Sequence, residues 1–143
     1  MELSISVEVP NAPAGPVGSI RVTKRIMVVE DNDLNRKLFC DVLKANGFEV
    51  MPVADGQNVL TTTQKFTPDL VIMDIQLPNV SGLDLIAQIK ADPALAHTPV
   101  LAVTAYAGKG DEERIRGAGA EDYLAKPVSI GPFMTAVREL LPA

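Results

Sequence analysis

Glu30, Asp31, Asp74, Thr104 and Lys126 are the residues of this 143-residue chain whose types could act together on one chemical group. Each follows or ends a short apolar run. Leu70-Val71-Ile72-Met73 leads into Asp74, Ile26-Met27-Val28-Val29 into Glu30-Asp31, Val100-Leu101-Ala102-Val103 into Thr104, and Tyr123-Leu124-Ala125 into Lys126. Three carboxylates held together repel: two charges ~4 Å apart at an effective dielectric of about 20 interact by about 4 kcal/mol. Such a cluster calls for a cation. An all-oxygen donor set without His or Cys suits Mg²⁺, which binds through one or two carboxylates plus a phosphate and keeps several waters. An ammonium at Lys126 and a hydroxyl at Thr104 complete a set suited to a phosphoryl group, with a carboxylate as nucleophile. Asp74 stands alone at the end of its run and is the expected nucleophile. The adjacent Glu30 and Asp31 are the expected metal-holding pair.

The elements that must position these groups can be read from the pattern. The run ending at Asp74 is apolar without alternation, as in a strand buried on both faces. Pro68 and Asp69 open it, and 76–82 turn the chain away. Similar runs predict strands at 24–31, 48–53, 99–104 and 121–125. Between them lie helical segments. Asn32 or Asp33 caps the first, whose expected apolar stripe is Leu38, Phe39, Val42 and Leu43, and Gly47 suits the left-handed position after it. Cys40 lies in the same stretch and reads as a small core residue. A polar second helix covers about 57–65, with Val59, Leu60 and Phe66 as its apolar contacts. The third follows the capping-box spacing of Ser81 and Asp84. The fourth, about 110–117, is strongly charged. Ser129 caps the last, in which Ile130, Phe133, Met134, Val137, Leu140 and Leu141 repeat with a period of 3.6.

Strands alternating with helices through short loops predict an α/β fold: a (βα)₅ doubly wound parallel five-stranded sheet in the flavodoxin-like order 2-1-3-4-5. In such a sheet the strand carboxyl ends share one edge, where ligands bind, and that edge gathers the five residues. Composition narrows the function further. An apolar content of 47% fits a single globular domain, and a net charge of −5 without a basic block argues against a nucleic-acid surface. Cys40 is the only cysteine, so no intrachain disulfide forms, which favours a cytoplasmic setting. No apolar run approaches the ~20 residues of a membrane span, and the acidic start is unlike a secretory signal. Residues 1–22, rich in Pro and Gly, read as a flexible N-terminal extension to a domain over 23–143.

Taken in order, Val28-Val29-Glu30-Asp31-Asn32, Met73-Asp74-Ile75-Gln76-Leu77-Pro78 with Gly82, Val103-Thr104-Ala105 and Lys126-Pro127 resemble the motifs of a response-regulator receiver domain. The resemblance runs from about Thr23 to Leu141. Segments 30–39, 95–99 and 109–116 further resemble a single-domain regulator of cell division within that family. That subgroup starts at the position of Val22, which makes 1–21 a candidate over-extended translation start. Peptide mapping of the native amino terminus tests this.

The resemblance implies the following roles. Asp74 accepts a phosphoryl group from a histidine kinase. Asp31, Asp74 and the backbone carbonyl of Gln76 hold Mg²⁺, with Glu30 acting through water. Thr104 turns toward the phosphate, Tyr123 swings inward, and Lys126 contacts the phosphate, placed by a cis bond to Pro127. Leu34 is a candidate kinase contact. The implied partners are sensor histidine kinases and a downstream kinase or regulator, met by protein–protein contact as a monomer or weak dimer, without nucleic acid or membrane insertion. Catalysis is limited to the chain's own phosphotransfer and dephosphorylation. Gln76 and Tyr106 are placed to modulate water access to the phosphate. Three rival readings remain at this point: a Mg²⁺-dependent phosphatase or phosphotransferase, a flavin mononucleotide carrier, and a phosphorylation-independent binding module. The first wants an acid where Gln76 stands, and the second a Gly/Ser/Thr-rich loop where the chain is acidic.

Overall fold

The computed structural model describes residues 23–106 and 108–141. Strands β1 (Arg25–Val29), β2 (Glu49–Val53), β3 (Leu70–Asp74), β4 (Val100–Thr104) and β5 (Asp122–Ala125) alternate with helices α1 (Asp33–Ala45), α2 (Val59–Phe66), α3 (Gly82–Ala91), α4 (Lys109–Ala118) and α5 (Ile130–Leu140). All strand pairs are parallel, in the order β2-β1-β3-β4-β5. The (βα)₅ expectation and its strand order are therefore correct. The expectations for residues 1–22 lie outside the described residues.

The sheet is buried on both faces because its inner strands are apolar apart from Arg25 at the start of β1 and Asp74 and Thr104 at the carboxyl ends of β3 and β4. Every residue of β3 and β4 is buried. Their side chains alternate between two cores, as the pleat requires. Met27, Val29, Val71 and Met73 face Val59 and Phe66 of α2, Leu85, Ile86 and Ile89 of α3, and Ile115 of α4. Ile26, Val28, Leu70 and Ile72 face Phe39, Cys40 and Leu43 of α1 and Phe133, Met134 and Val137 of α5. Phe39 and Phe133 stack with ring centroids 4.9 Å apart and lock α1 to α5.

Register decides what reaches the carboxyl edge. Val29 pairs with Met73, Asp74 with Val103, and Thr104 with Ala125. Glu30, Asp74, Thr104 and Lys126 thus emerge nearly level.

Helix ends follow local chemistry, with some departures from the pattern read above. Asn32 caps α1 by accepting from the Asn35 N–H, and Gly47 takes a φ of 88° after it. The stripe of α1 is Phe39, Cys40 and Leu43, while Leu38 is exposed. The ring stack with Phe133 selects this phase of the helix. A single 3₁₀ turn, Gly56–Asn58, precedes α2 and is capped by the Asp55 carboxylate on the Gln57 N–H. Ser81 caps α3 through the Leu83 N–H. Ser129 has the extended cap conformation, but its hydroxyl makes no capping bond. Ile130 is exposed because the packed face of α5 begins one turn later, at Phe133.

Candidate functional site

Asp74 ends the central strand and is 1% exposed. Its Oδ1 accepts from the Gln76 backbone N–H at 2.9 Å, and its Oδ2 faces Lys126 Nζ at 3.2 Å. Glu30 is equally buried. Its Oε2 accepts from the Asn32 N–H at 3.2 Å, and its Oε1 faces Lys126 Nζ at 3.3 Å. Asp31 is exposed at the mouth, and a carboxylate oxygen from each of the three acids lies within 4.8 Å of the others. Lys126 reaches the pair from the end of β5, through a cis Lys126–Pro127 peptide bond.

One ammonium does not balance this cluster. Burial raises the Asp74 pKa above the usual carboxylate range, and the neighbouring Glu30 carboxylate raises it further. The Gln76 N–H and Lys126 pull it down, but not enough to reverse the sign. Burial pushes the Lys126 ammonium down, and the Asp74 and Glu30 charges outweigh it and raise its pKa. Asp74 Oδ2 and Glu30 Oε1 are buried without a hydrogen bond, facing only the ion pair with Lys126. Two orphaned carboxylate oxygens and a third, exposed carboxylate form a hard, all-oxygen donor set that fits a divalent cation such as Mg²⁺.

Thr104 is buried at the end of β4 and fully committed. Its hydroxyl donates to the Tyr106 carbonyl at 2.8 Å and accepts from the Tyr106 N–H at 3.0 Å and from Gln76 Nε2 at 2.9 Å. Gln76 Oε1 accepts from the Ala105 N–H at 2.8 Å. The Gln76 side chain therefore ties the loop after β3 to the loop after β4. Tyr123 stands apart from the acids. It packs half-buried against the α3–α4 core, with the Arg116 guanidinium 5.4 Å from its ring, and burial and Glu112 raise its hydroxyl pKa. Leu34, in the first turn of α1, is 76% exposed. His97 is exposed and lines a cleft with Pro68, Asp69, Pro99 and Glu121, at the opposite, amino-terminal edge of the sheet.

Two features were not read from the sequence. Arg36 Nη1 donates to the Glu30 carbonyl at 2.8 Å and the Asp31 carbonyl at 3.3 Å, while its Nη2 pairs with Asp33 at 2.6 Å, so it clamps the acidic loop. A lone arginine five residues past the Glu30-Asp31 pair was the available signal. At Gln76 a metal-holding backbone carbonyl and an effect on water access are expected from the sequence, and the side-chain bridge is not. Gly82 has a backbone reason for its identity: a Cβ there would lie 2.3 Å from the Asp74 carbonyl oxygen. The start of α3 packs directly under the acid.

A five-stranded parallel sheet with this acid–threonine–lysine edge defines a class of doubly wound α/β domain, and the chain belongs to the response regulator receiver domain family, whose sequence model matches residues 26–138. The polar-differentiation response regulator DivK of Brucella ovis is 48% identical over 120 residues, 84% of this chain and 98% of that protein. DivK of Brucella anthropi is 48% identical over 118 residues, 82% of this chain and 96% of its own length. Among solved structures, the chemotaxis protein CheY4 of Vibrio cholerae superposes with a TM-score of 0.80 at 23% identity, covering 84% of this chain and all of that one, a likeness of fold. The receiver domain of sensor histidine kinase PA1611 from Pseudomonas aeruginosa superposes with a TM-score of 0.76 at 31% identity, covering 83% and 98%. It holds a magnesium ion in its active-site cleft.

Proposed function

We propose that this chain is a phosphorylation switch: Asp74 accepts a phosphoryl group from a kinase phosphohistidine, and the phosphorylated domain signals by protein–protein contact. The observation that carries this reading is the meeting of the Glu30, Asp31 and Asp74 carboxylates within 4.8 Å, with Lys126 facing two of them. A carboxylate oxygen of Asp74 attacks phosphorus, the phosphorus–nitrogen bond of the donor breaks, and the electron pair leaves with the imidazole. Lys126 neutralises charge on the transferring oxygens. Asp31, Asp74 and the Gln76 carbonyl are the residues to hold Mg²⁺, with Glu30 acting through water. When bound, the ion supplies further charge neutralisation at the phosphoryl group. The new phosphate brings about −1.5 to −2 charges and three acceptor oxygens, able to draw the Thr104 hydroxyl away from Tyr106. Tyr123 then follows inward and the α4–β5–α5 face is remodelled.

The likeness to DivK supports a role in cell-division control, in the cytoplasm, with sensor histidine kinases upstream and a downstream kinase or regulator as the target. Among the described residues no helix is long and apolar enough to cross a membrane. Leu34, exposed beside the acidic loop, is proposed as a kinase contact.

Intact mass after incubation with a small acyl phosphate tests the core of this reading. One added phosphoryl group is expected that requires Mg²⁺, is released by hydroxylamine and is absent from Asp74→Asn. An adduct that survives in Asp74→Asn, or none from either a small donor or a panel of histidine kinases, overturns it.

A further inference from the structure

We infer that the Gln76 side chain competes with the phosphoryl group for its hydrogen-bond donors: it occupies the hydrogen-bonding groups at the end of β4 and holds the β4–α4 loop in the unphosphorylated arrangement. The inference rests on the phosphorylation reading above and adds a residue that sets how readily the switch is thrown. Gln76 is half-buried two residues past Asp74, and its own backbone N–H already bonds the Asp74 carboxylate. Its amide is used at both ends. Nε2 donates to Thr104 Oγ1 at 2.9 Å, and Oε1 accepts from the Ala105 N–H at 2.8 Å. The two target groups are neighbours in the chain, 28 and 29 residues and one strand crossing away from Gln76.

The chemistry of this bridge is antagonistic to an anion at Asp74. The hydroxyl and the Ala105 amide are the two donors that β4 presents at its carboxyl end. The amide is taken by Gln76 Oε1, and the hydroxyl proton is directed to the Tyr106 carbonyl at 2.8 Å. A hydroxyl has one proton and two lone pairs. With Gln76 Nε2 and the Tyr106 N–H both donating to Thr104 Oγ1, its acceptor capacity is filled and the proton can only point to Tyr106. For Thr104 to donate to a phosphoryl oxygen, the bond to Tyr106 must break and the oxygen must turn, which also breaks the Gln76 bond. The carboxamide thus stabilises the resting rotamer of Thr104 and the path of the Ala105–Tyr106 segment together. A side chain of similar size without an amide would fill the same space and release both groups.

The test compares wild type with Gln76→Met and Gln76→Ala, using beryllium fluoride with Mg²⁺ as the phosphoryl analogue. Hydrogen exchange at the Ala105 amide is read in the absence of the analogue. Both variants are expected to exchange faster at Ala105 and to bind beryllium fluoride about tenfold more tightly than wild type. That change equals about 1.4 kcal/mol, within the range for one or two neutral hydrogen bonds released. A packing role would be relieved by Met and not by Ala, so agreement between the two variants is part of the expected result. Faster exchange with equal or weaker affinity overturns the competition while leaving the phosphorylation reading intact. Unchanged exchange at Ala105 overturns the bridge itself. Failure of wild type and both variants alike to bind the analogue, with no phosphoryl adduct by mass, overturns the phosphorylation reading and the competition with it.

Discussion

At the scale of single residues, the site stores unfavourable charge. The raised pKa of Asp74 means that its ionised form is disfavoured in the folded protein, first by burial and then by Glu30. A group whose folded pKa lies above its unfolded value stabilises the fold at pH below the unfolded value, and that contribution is lost as pH rises through the folded value. In Mg²⁺-free buffer at neutral pH, ionised Asp74 is therefore a cost to stability. Asp74→Asn, which keeps the shape and removes the charge, is expected to raise the melting temperature by a few degrees, the ordinary size of a point-substitution effect. The gain should shrink as pH falls toward the ordinary carboxylate value of 3.8, where the unfolded chain also takes up a proton at Asp74 and the folded protein's disadvantage disappears. Thermal melts of both proteins from pH 7 down to pH 4 check the sign. A variant less stable than wild type at neutral pH contradicts it. Addition of Mg²⁺ should narrow the gap, because a ligand that binds only the folded wild type stabilises it by mass action.

At the scale of elements, the glycines separate two kinds of constraint. Gly82 opens α3 against the Asp74 carbonyl, where an added Cβ meets backbone at 2.3 Å and has no flexible side chain to displace. Gly82→Ala is expected to cost about 2–3 kcal/mol in urea unfolding and to disturb the acid it underlies. Gly117 lies in the last turn of α4 with nothing within 4 Å of an added Cβ. Gly117→Ala should stabilise by about 0.5–1 kcal/mol through helix propensity alone. Equal effects from the two substitutions would refute the distinction. The same contrast explains what could be read in advance. The inner strands are unbroken apolar runs with polar groups only at their ends, which leaves a buried parallel sheet as the consistent solution, and that topology brings Glu30, Asp31, Asp74, Thr104 and Lys126 to one edge without any knowledge of side-chain angles. The phase of α1 was less legible. Leu34, Leu38, Phe39, Cys40, Val42 and Leu43 allow more than one apolar stripe, and contact with Phe133, some ninety residues later, decides for Phe39, Cys40 and Leu43. The Gln76 bridge was beyond reach for a similar reason, since it depends on how the loop after β3 lies against the loop after β4, while for the Arg36 clamp the only signal was an arginine placed soon after the acidic pair.

At the scale of the whole molecule, the acidic pocket has an apolar border. Leu34 follows Glu30 by four residues and Ile130 follows Lys126 by four, each in the first turn of its helix and therefore at the carboxyl edge of the sheet. Leu34 is 76% exposed, Ile130 52% and Leu38, one turn further along α1, 41%. Singly, exposed apolar side chains are ordinary. Here three lie on the two helices that the Phe39–Phe133 stack holds together, Leu34 and Ile130 in first turns at the carboxyl edge where Asp74 ends β3. Solvent-facing leucines at such a rim contribute nothing to the core and are available to a protein donor, whereas a small acyl phosphate needs only the pocket. Leu34→Asp should therefore separate the two donors. Phosphotransfer from a histidine kinase competent for wild type is expected to slow about tenfold relative to phosphorylation by the small donor, the effect of losing a contact worth about 1–2 kcal/mol. The ratio of the two initial rates, in variant and wild type, is the quantity to measure, since it cancels any change in Asp74 reactivity. A ratio equal to that of wild type removes Leu34 from the docking surface and leaves Leu38 and Ile130 as the positions to substitute next.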